Sequence, residues 1–211
     1  MKTIAFTQRV EKITKYNETR DCLDQRWIDL AFKLKLKPQV LPNINVKQIN
    51  DFFYKKKPNL IVLTGGNDLV QKNLKRQKNT SITRDSFEKG LIRFAIKEKI
   101  PLIGVCRGMQ LLNVFFKGKI TPITNHVNKN HKLFFSKEYK KYFNDEVNSF
   151  HNWGIKKDNL GLGLSPIAFD KSNNVECFIH SKKLILGLMW HPERKFSKKN
   201  SFIFKEFVNK G

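Results

Sequence analysis

Short apolar runs alternate along the chain with longer stretches whose apolar positions recur every three to four residues. That alternation predicts an α/β fold, a mostly parallel sheet with crossover helices. Residues 3–7 read as a first strand, and 17–35 as a helix with Cys22, Leu23, Trp27, Leu30, Ala31 and Leu34 on one face. A short strand is expected at 39–41 and an amphipathic helix at 46–54, followed by lysines suited to its C-terminus. Residues 59–63 are continuously apolar, as in a central strand covered on both faces. They run into the turn sequence Thr64-Gly65-Gly66-Asn67-Asp68 and a lysine-rich loop. A helix is expected at 85–99, with Asp85 and Glu88 at capping-box spacing. A buried strand at 102–105 turns at Cys106 directly into a helix over 107–116. Beyond residue 120 the pattern is β-like, ending in a hairpin of 175–179 and 184–190 and a last helix over 202–208. No repeat or composition shift divides the chain, so one domain over 1–211 is expected, with a smaller antiparallel β segment beside the main sheet.

At 211 residues the chain can bury roughly 70% of its unfolded surface, enough for a core without staples. No apolar run approaches the ~18 residues of a membrane span. The N-terminus turns polar too soon for a signal peptide, so a cytoplasmic protein is expected. The net charge of +23 raises nucleic-acid binding as a possibility to weigh. The basic residues are 33 lysines and 8 arginines spread along the whole chain, the pattern of a solvated surface rather than a polymer-binding stripe. A basic binder of nucleic acid or acidic polymer therefore ranks last among the readings. Three cysteines, Cys22, Cys106 and Cys177, form no disulfide framework. Cys22 and Cys177 fall at apolar positions and are expected in the core. His126 and His131 lie in a polar stretch without a third ligand at metal spacing, so no metal or cofactor is expected. His180 reads as a turn residue.

The chemistry concentrates in Leu102-Ile103-Gly104-Val105-Cys106-Arg107-Gly108-Met109-Gln110. A strand entering a cysteine and leaving at once as a helix, with glycines two residues to either side, is a nucleophile elbow. The helix N-terminus beside the sulfur favours the thiolate, and Arg107 adds positive charge nearby. A cysteine nucleophile needs a base and the base an orienting acid. Trp190-His191-Pro192-Glu193 offers both: Pro192 stops the strand, and residues two apart on extended chain project to one side. Cys106, His191 and Glu193 are thus the candidate catalytic triad.

With those two segments the chain resembles the class I glutamine amidotransferases, in the γ-glutamyl-γ-aminobutyrate hydrolase-like branch. The likeness extends to Leu63-Thr64-Gly65-Gly66-Asn67-Asp68, Arg84-Asp85-Ser86-Phe87-Glu88 and Val147-Asn148-Ser149-Phe150-His151, in that order along nearly the whole chain. The resemblance implies an oxyanion hole from the backbone N–H groups of Gly66 and Arg107. It also implies glutamyl-binding roles for Gln110, Asn148, Ser149, Phe150 and His151, and makes Trp153 a shaper of the leaving-group pocket.

The segment from Thr7 to Trp27 looks more like compact members that hydrolyse γ-glutamyl-CDP-amidate for capsule polysaccharide decoration. For a diphosphate leaving group, Arg9, Arg20 and Arg26 are the candidate contacts, since arginine pairs bidentately with phosphate. The expected partner is a small γ-glutamyl substrate, with no nucleic-acid polymer and no membrane, for a monomer or homodimer. The alternatives are a glutaminase subunit that passes ammonia to a synthetase, and a hydrolase of another γ-glutamyl-amine.

Overall fold

The computed structural model describes residues 1–71 and 79–211. Its strands are β1 Thr3–Thr7, β2 Arg9–Ile13, β3 Glu18–Cys22, β4 Lys37–Leu41, β5 Leu60–Leu63, β6 Leu102–Val105 and β7 Thr121–Pro122. The second half adds β8 Val127–Lys132, β9 Phe134–Phe135, β10 Glu146–Phe150, β11 Trp153–Gly154, β12 Leu164–Phe169, β13 Val175–His180 and β14 Ile185–Leu188. The helices are α1 Gln25–Lys33, α2 Ile49–Phe52, α3 Ile82–Lys97, α4 Arg107–Phe115 and α5 Lys198–Asn209. Eight strands form the main sheet in the order β4-β1-β5-β6-β14-β13-β12-β9. The first five run parallel and the last three continue antiparallel. Two-stranded pairs β10-β8, β11-β7 and β2-β3 lie outside it. The expected architecture is therefore the observed one.

Side chains alternate across the sheet, as the two-residue period of a strand demands. Ile4, Phe6, Leu60 and Val62 enter one core with Trp27 and Leu30 of α1 and Phe204 of α5. Ala5, Ile61 and Leu63 enter the other with Phe87 and Leu91 of α3 and Met109 of α4.

Several boundaries move, each for a local reason. The helix expected over 17–35 begins only at Gln25. Asp24 sits in extended conformation as its cap, accepting from the Arg26 N–H, while Asn17 takes a left-handed turn (φ 50°) that folds β3 back on β2. Cys22 consequently ends a strand, half-buried, rather than lying on a helix face. The helix expected over 46–54 is a 3-10 turn capped by Asn45 followed by the short α2. α3 starts at Ile82 because Ser81 Oγ accepts from the Arg84 N–H. Asp85 is thereby no cap but a buried residue one turn inside the helix. Ser197 caps α5 in the same way and lengthens it to Lys198–Asn209. The lysine-rich loop expected after Asp68 falls mostly in 72–78, outside the described residues.

Starting α3 at Ile82 places Arg84, Asp85 and Glu88 on its buried side. Arg84 Nε donates to Glu88 Oε1 at 3.1 Å, and the Arg107 guanidinium bonds both Glu88 Oε2 and Asp85 Oδ1. Burial favours neutral Glu88, but the two guanidiniums outweigh it and hold the carboxyl below its ordinary range. Burial, reinforced by Arg107, lowers Arg84 to about 10, still charged at neutral pH. The expectation that Arg107 lends its charge to the cysteine is corrected here, because both of its acidic partners are buried around it.

Removing one acid from this network strands guanidinium charge in the interior. Glu88→Ala is expected to cost about 3–5 kcal/mol in urea unfolding at neutral pH. A loss under about 1 kcal/mol would contradict the account of the network. Because the Glu88 carboxyl is depressed in the fold, its contribution is present above the unfolded-state value and is lost as pH falls through the folded one.

Candidate active site

Three loops meet at the C-terminal ends of β5, β6 and β14, the edge where parallel sheets place their ligands. Cys106 follows β6 with φ 51° and ψ −107°, a conformation an L-residue adopts only under constraint. Its N–H donates to Leu188 O at 2.7 Å and its carbonyl accepts from the Gln110 N–H at 3.0 Å. The turn is possible because Gly108 has no side chain: a Cβ there would stand 2.1 Å from Leu63 O.

His191 follows β14, and its Nδ1 lies 2.7 Å from Glu193 Oε1. Its Nε2 is buried with no hydrogen-bond partner among the described residues. Gly65 is wedged between Cys106 and His191. A Cβ on it would lie 2.8 Å from His191 Cε1 and 3.6 Å from Cys106 Cβ. Burial works against charge on His191, but the Cys106 thiolate and then Glu193 outweigh it and raise the imidazole to about 10. The site thus keeps His191 protonated at neutral pH.

Arg84 reaches the Gly-Gly turn from below. Its Nη2 donates to Thr64 O at 2.8 Å and to Gly65 O at 3.1 Å, and its Nη1 to Gly66 O. Across a trans peptide the N–H points opposite the carbonyl, so holding Gly65 O turns the Gly66 N–H away from Arg84. The Arg107 N–H belongs to the first turn of α4, whose N–H groups lack helical acceptors. Arg84 lies in a segment of the family likeness, yet its sequence context gave it no role.

β10 distributes the other expected residues over two faces. Asn148 Nδ2 donates to His191 O and its Oδ1 accepts from the His191 N–H, both at 2.9 Å. Asn148 therefore clamps the histidine backbone rather than a substrate. Phe150 lies edge-on to the His191 ring and carries the Arg194 guanidinium 3.8 Å from its own centroid. Ser149 and His151, a residue further along each time, point the other way. Ser149 Oγ donates to His126 O at 2.6 Å, and His151 Nδ1 to Trp153 O at 3.0 Å. Their expected glutamyl contacts are corrected, since strand alternation turns both from the cleft. Gln110 is buried, with Nε2 donating to Trp153 O at 2.9 Å. That bond fixes a neighbouring backbone. Trp153 is half-buried and takes part through its carbonyl.

A cavity of about 200 Å³ opens over Cys106, lined among others by Arg9, Cys22, Thr64, Gly66, Phe150 and Arg194. Of the three expected arginines only Arg9 reaches it, ion-paired with Glu11. Arg20 pairs with Glu18 on the exposed hairpin, and Arg26 with Asp24 at the start of α1. Arg194, directly after the expected acid, is the cavity arginine that sequence reasoning missed. Cys22 is corrected from core to cavity wall, whereas Cys177 is fully buried, and burial raises its thiol well above the usual range. A groove of about 840 Å³ runs alongside, and neighbouring residues line the two: Arg9 and Val10, Cys22 and Asp21, Gly66 and Asn67.

The sequence profile of the Peptidase C26 family matches residues 3–193. The chain belongs to that family. It is accordingly an amide hydrolase of a cysteine-dependent, class I glutamine amidotransferase-like group. The chain is 38% identical over 208 residues to the gamma-glutamyl-CDP-amidate hydrolase of Campylobacter jejuni, covering 98% of this chain and 97% of that one. It is 34% identical to a putative glutamine amidotransferase-like protein, YvdE, of Lactococcus lactis, over 71% and 72% of the two chains. Among solved structures, a putative GMP synthase subunit from Thermoplasma acidophilum superposes with a TM-score of 0.72 at 18% identity, over 100% of this chain and 94% of that one. That likeness is one of fold. No helix among the described residues of this Peptidase C26 protein is long and apolar enough to cross a membrane.

Because Glu193 helps hold His191 protonated, Glu193→Gln is expected to move the alkaline limb of the kcat/KM profile to lower pH. The rate should fall roughly 100-fold or more as the imidazole loses its orientation. An alkaline limb that stays in place would exclude this role for Glu193.

Proposed function

We propose that the chain hydrolyses a γ-glutamyl amide through a glutamyl-thioester on Cys106, and that its substrate is γ-glutamyl-CDP-amidate. The observation that carries the reading is the elbow cysteine at φ 51° packed, across Gly65, against an imidazole bonded to Glu193. The Cys106 sulfur attacks the amide carbon, and the carbonyl oxygen takes the negative charge between the Gly66 and Arg107 N–H groups. His191 gives its proton to the departing nitrogen, the C–N bond breaks and the thioester remains. The neutral imidazole then takes a proton from water, whose oxygen attacks the thioester. As the C–S bond breaks, glutamate leaves, the Cys106 sulfur departs as the leaving group and His191 is again protonated. Asn148 and Phe150 position His191 and do not touch the reacting atoms.

Two features support a large anionic leaving group. The cavity over Cys106 has room for a glutamyl moiety, and the adjoining groove extends it past Arg9 along the β2–β3 hairpin. Arg9 and Arg194 line that cavity as candidate diphosphate contacts. The name of the Campylobacter jejuni relative, which matches end to end, points to the same substrate. The reading places the protein among enzymes that supply an activated phosphoramidate for a polysaccharide.

Purified protein is expected to convert γ-glutamyl-CDP-amidate to glutamate and cytidine diphosphoramidate, with Cys106→Ala inactive. Arg9→Ala should raise KM for this substrate far more than for glutamine. Glutamate release from glutamine but not from γ-glutamyl-CDP-amidate would replace this reading with the glutaminase one.

A further inference from the structure

Behind β10, on the face opposite His191, three histidines surround one buried carboxylate. His126 lies just before β8, His131 within it, His151 just after β10, and Glu176 on β13. Glu176 lies some fifty residues from His126 in sequence, on β13, and is brought beside it only by the fold. Glu176 and His151 have about 1% of their side chains exposed. Neither Glu176 oxygen has a hydrogen-bond partner among the described residues, and neither do the Nε2 atoms of His131 and His151. Such groups, buried and unpaired, are costly and require an explanation.

For His126 and His151 the hydrogen bonds decide which ring nitrogen is bare. Asp170 already accepts from the Ser172 and Asn174 N–H groups and from Asn174 Nδ2, and its Oδ2 lies 3.0 Å from His126 Nε2. As an acceptor, Asp170 places the proton of His126 on Nε2 and leaves a lone pair on Nδ1. Ser149 Oγ is 3.4 Å from that Nδ1, but its single proton goes to His126 O at 2.6 Å. His151 spends its Nδ1–H on Trp153 O, which leaves the lone pair on Nε2. Both lone pairs face Glu176 Oε1, from 4.0 Å for His126 and 3.8 Å for His151. His131 Nε2 approaches Glu176 Oε2 at 3.3 Å. The lone pairs of His126 and His151 therefore face a carboxylate oxygen, itself an acceptor, across a small gap beside His131, and a cation there satisfies all of these groups at once.

We infer that His126, His131 and Glu176, with His151 as a fourth ligand, form a divalent metal site whose nitrogen and oxygen donors suit Zn²⁺. The ligand atoms of His126, His131 and Glu176 all lie within 4.8 Å of one another. Tetrahedral zinc with bonds of ~2.0–2.1 Å sets its ligands about 3.4 Å apart, so a small inward movement completes the shell. Asp170 bonded to the far nitrogen of His126 is the carboxylate–histidine support that zinc ligands commonly have. Four protein ligands make a closed, structural site rather than a reactive one. Its effect is to tie β8 and the end of β10 to β13, behind the strand that presents Asn148 and Phe150 to His191. The inference stands on this cluster and not on the substrate reading.

The test is Zn²⁺ uptake by the Cys106→Ala protein after chelator treatment, which removes the active-site thiolate as a competing ligand. One equivalent is expected per chain, with a raised melting temperature. Co²⁺ in its place should give tetrahedral d–d bands and no thiolate charge-transfer band. Glu176→Gln, nearly isosteric, should weaken Zn²⁺ binding by more than about 100-fold, since a metal ligand counts for more than its supports. Absence of stoichiometric uptake by Cys106→Ala would overturn the site, leaving Glu176 a buried carboxyl sharing a proton. Undiminished binding by Glu176→Gln would overturn it as well. If Glu176→Gln fails to fold, uptake and the cobalt spectrum of Cys106→Ala decide alone.

Discussion

Two buried arginines and two buried acids fix the geometry on which the active site depends. Arg107 stands immediately after Cys106, and its guanidinium is held by Glu88 and Asp85 of α3. Arg84, one turn from Glu88 on the same helix, holds the three successive carbonyls of the Gly-Gly turn. One ion network therefore sets both the start of α4 and the facing loop after β5. The two N–H groups proposed to receive the oxyanion come from those two segments. A buried network of this kind is poor evidence of net stability. Here its consequence is positional, because the helix and the loop cannot move independently.

β10 performs a similar service for His191 through strand alternation. Its cleft-facing residues grip the His191 backbone and pack on the ring, and its other face enters the histidine cluster around Glu176. The imidazole is thus defined from three directions: by Glu193 at its far nitrogen, by Asn148 at its backbone, and by Gly65 against its edge. A strand that serves two polar sites on opposite faces has little freedom to shift register, since a slip of one residue would exchange them.

Much of this was legible in the sequence because the signals were local. The elbow needs a strand, a cysteine and two glycines within nine residues, and the base with its acid spans three. The main sheet followed from apolar runs that are long only where strands are covered on both faces. Misreadings arose where a local pattern served two purposes. The apolar spacing that marks α1 continues back to Cys22, yet Asp24 caps the helix and the preceding residues pair as a hairpin. Asp85 and Glu88 have the spacing of a cap, but Ser81 already supplies one, and the pair turns inward to Arg107. Ser149 and His151 sit in the right motif on the wrong side of their strand. Arg84's grip on the Gly-Gly turn and Glu176's place beside His126 join segments far apart in sequence, so no spacing rule reveals them.

In the proposed mechanism a single sulfur, that of Cys106 at the end of β6, does the chemistry. A γ-glutamyl electrophile that alkylates thiolates, applied at neutral pH and followed by peptide mass spectrometry, tests it most directly. Modification should fall on Cys106 alone, be blocked by substrate, and slow sharply in His191→Ala. Labelling of Cys22, whose thiol shares the same cavity, with Cys106 untouched would contradict the claim.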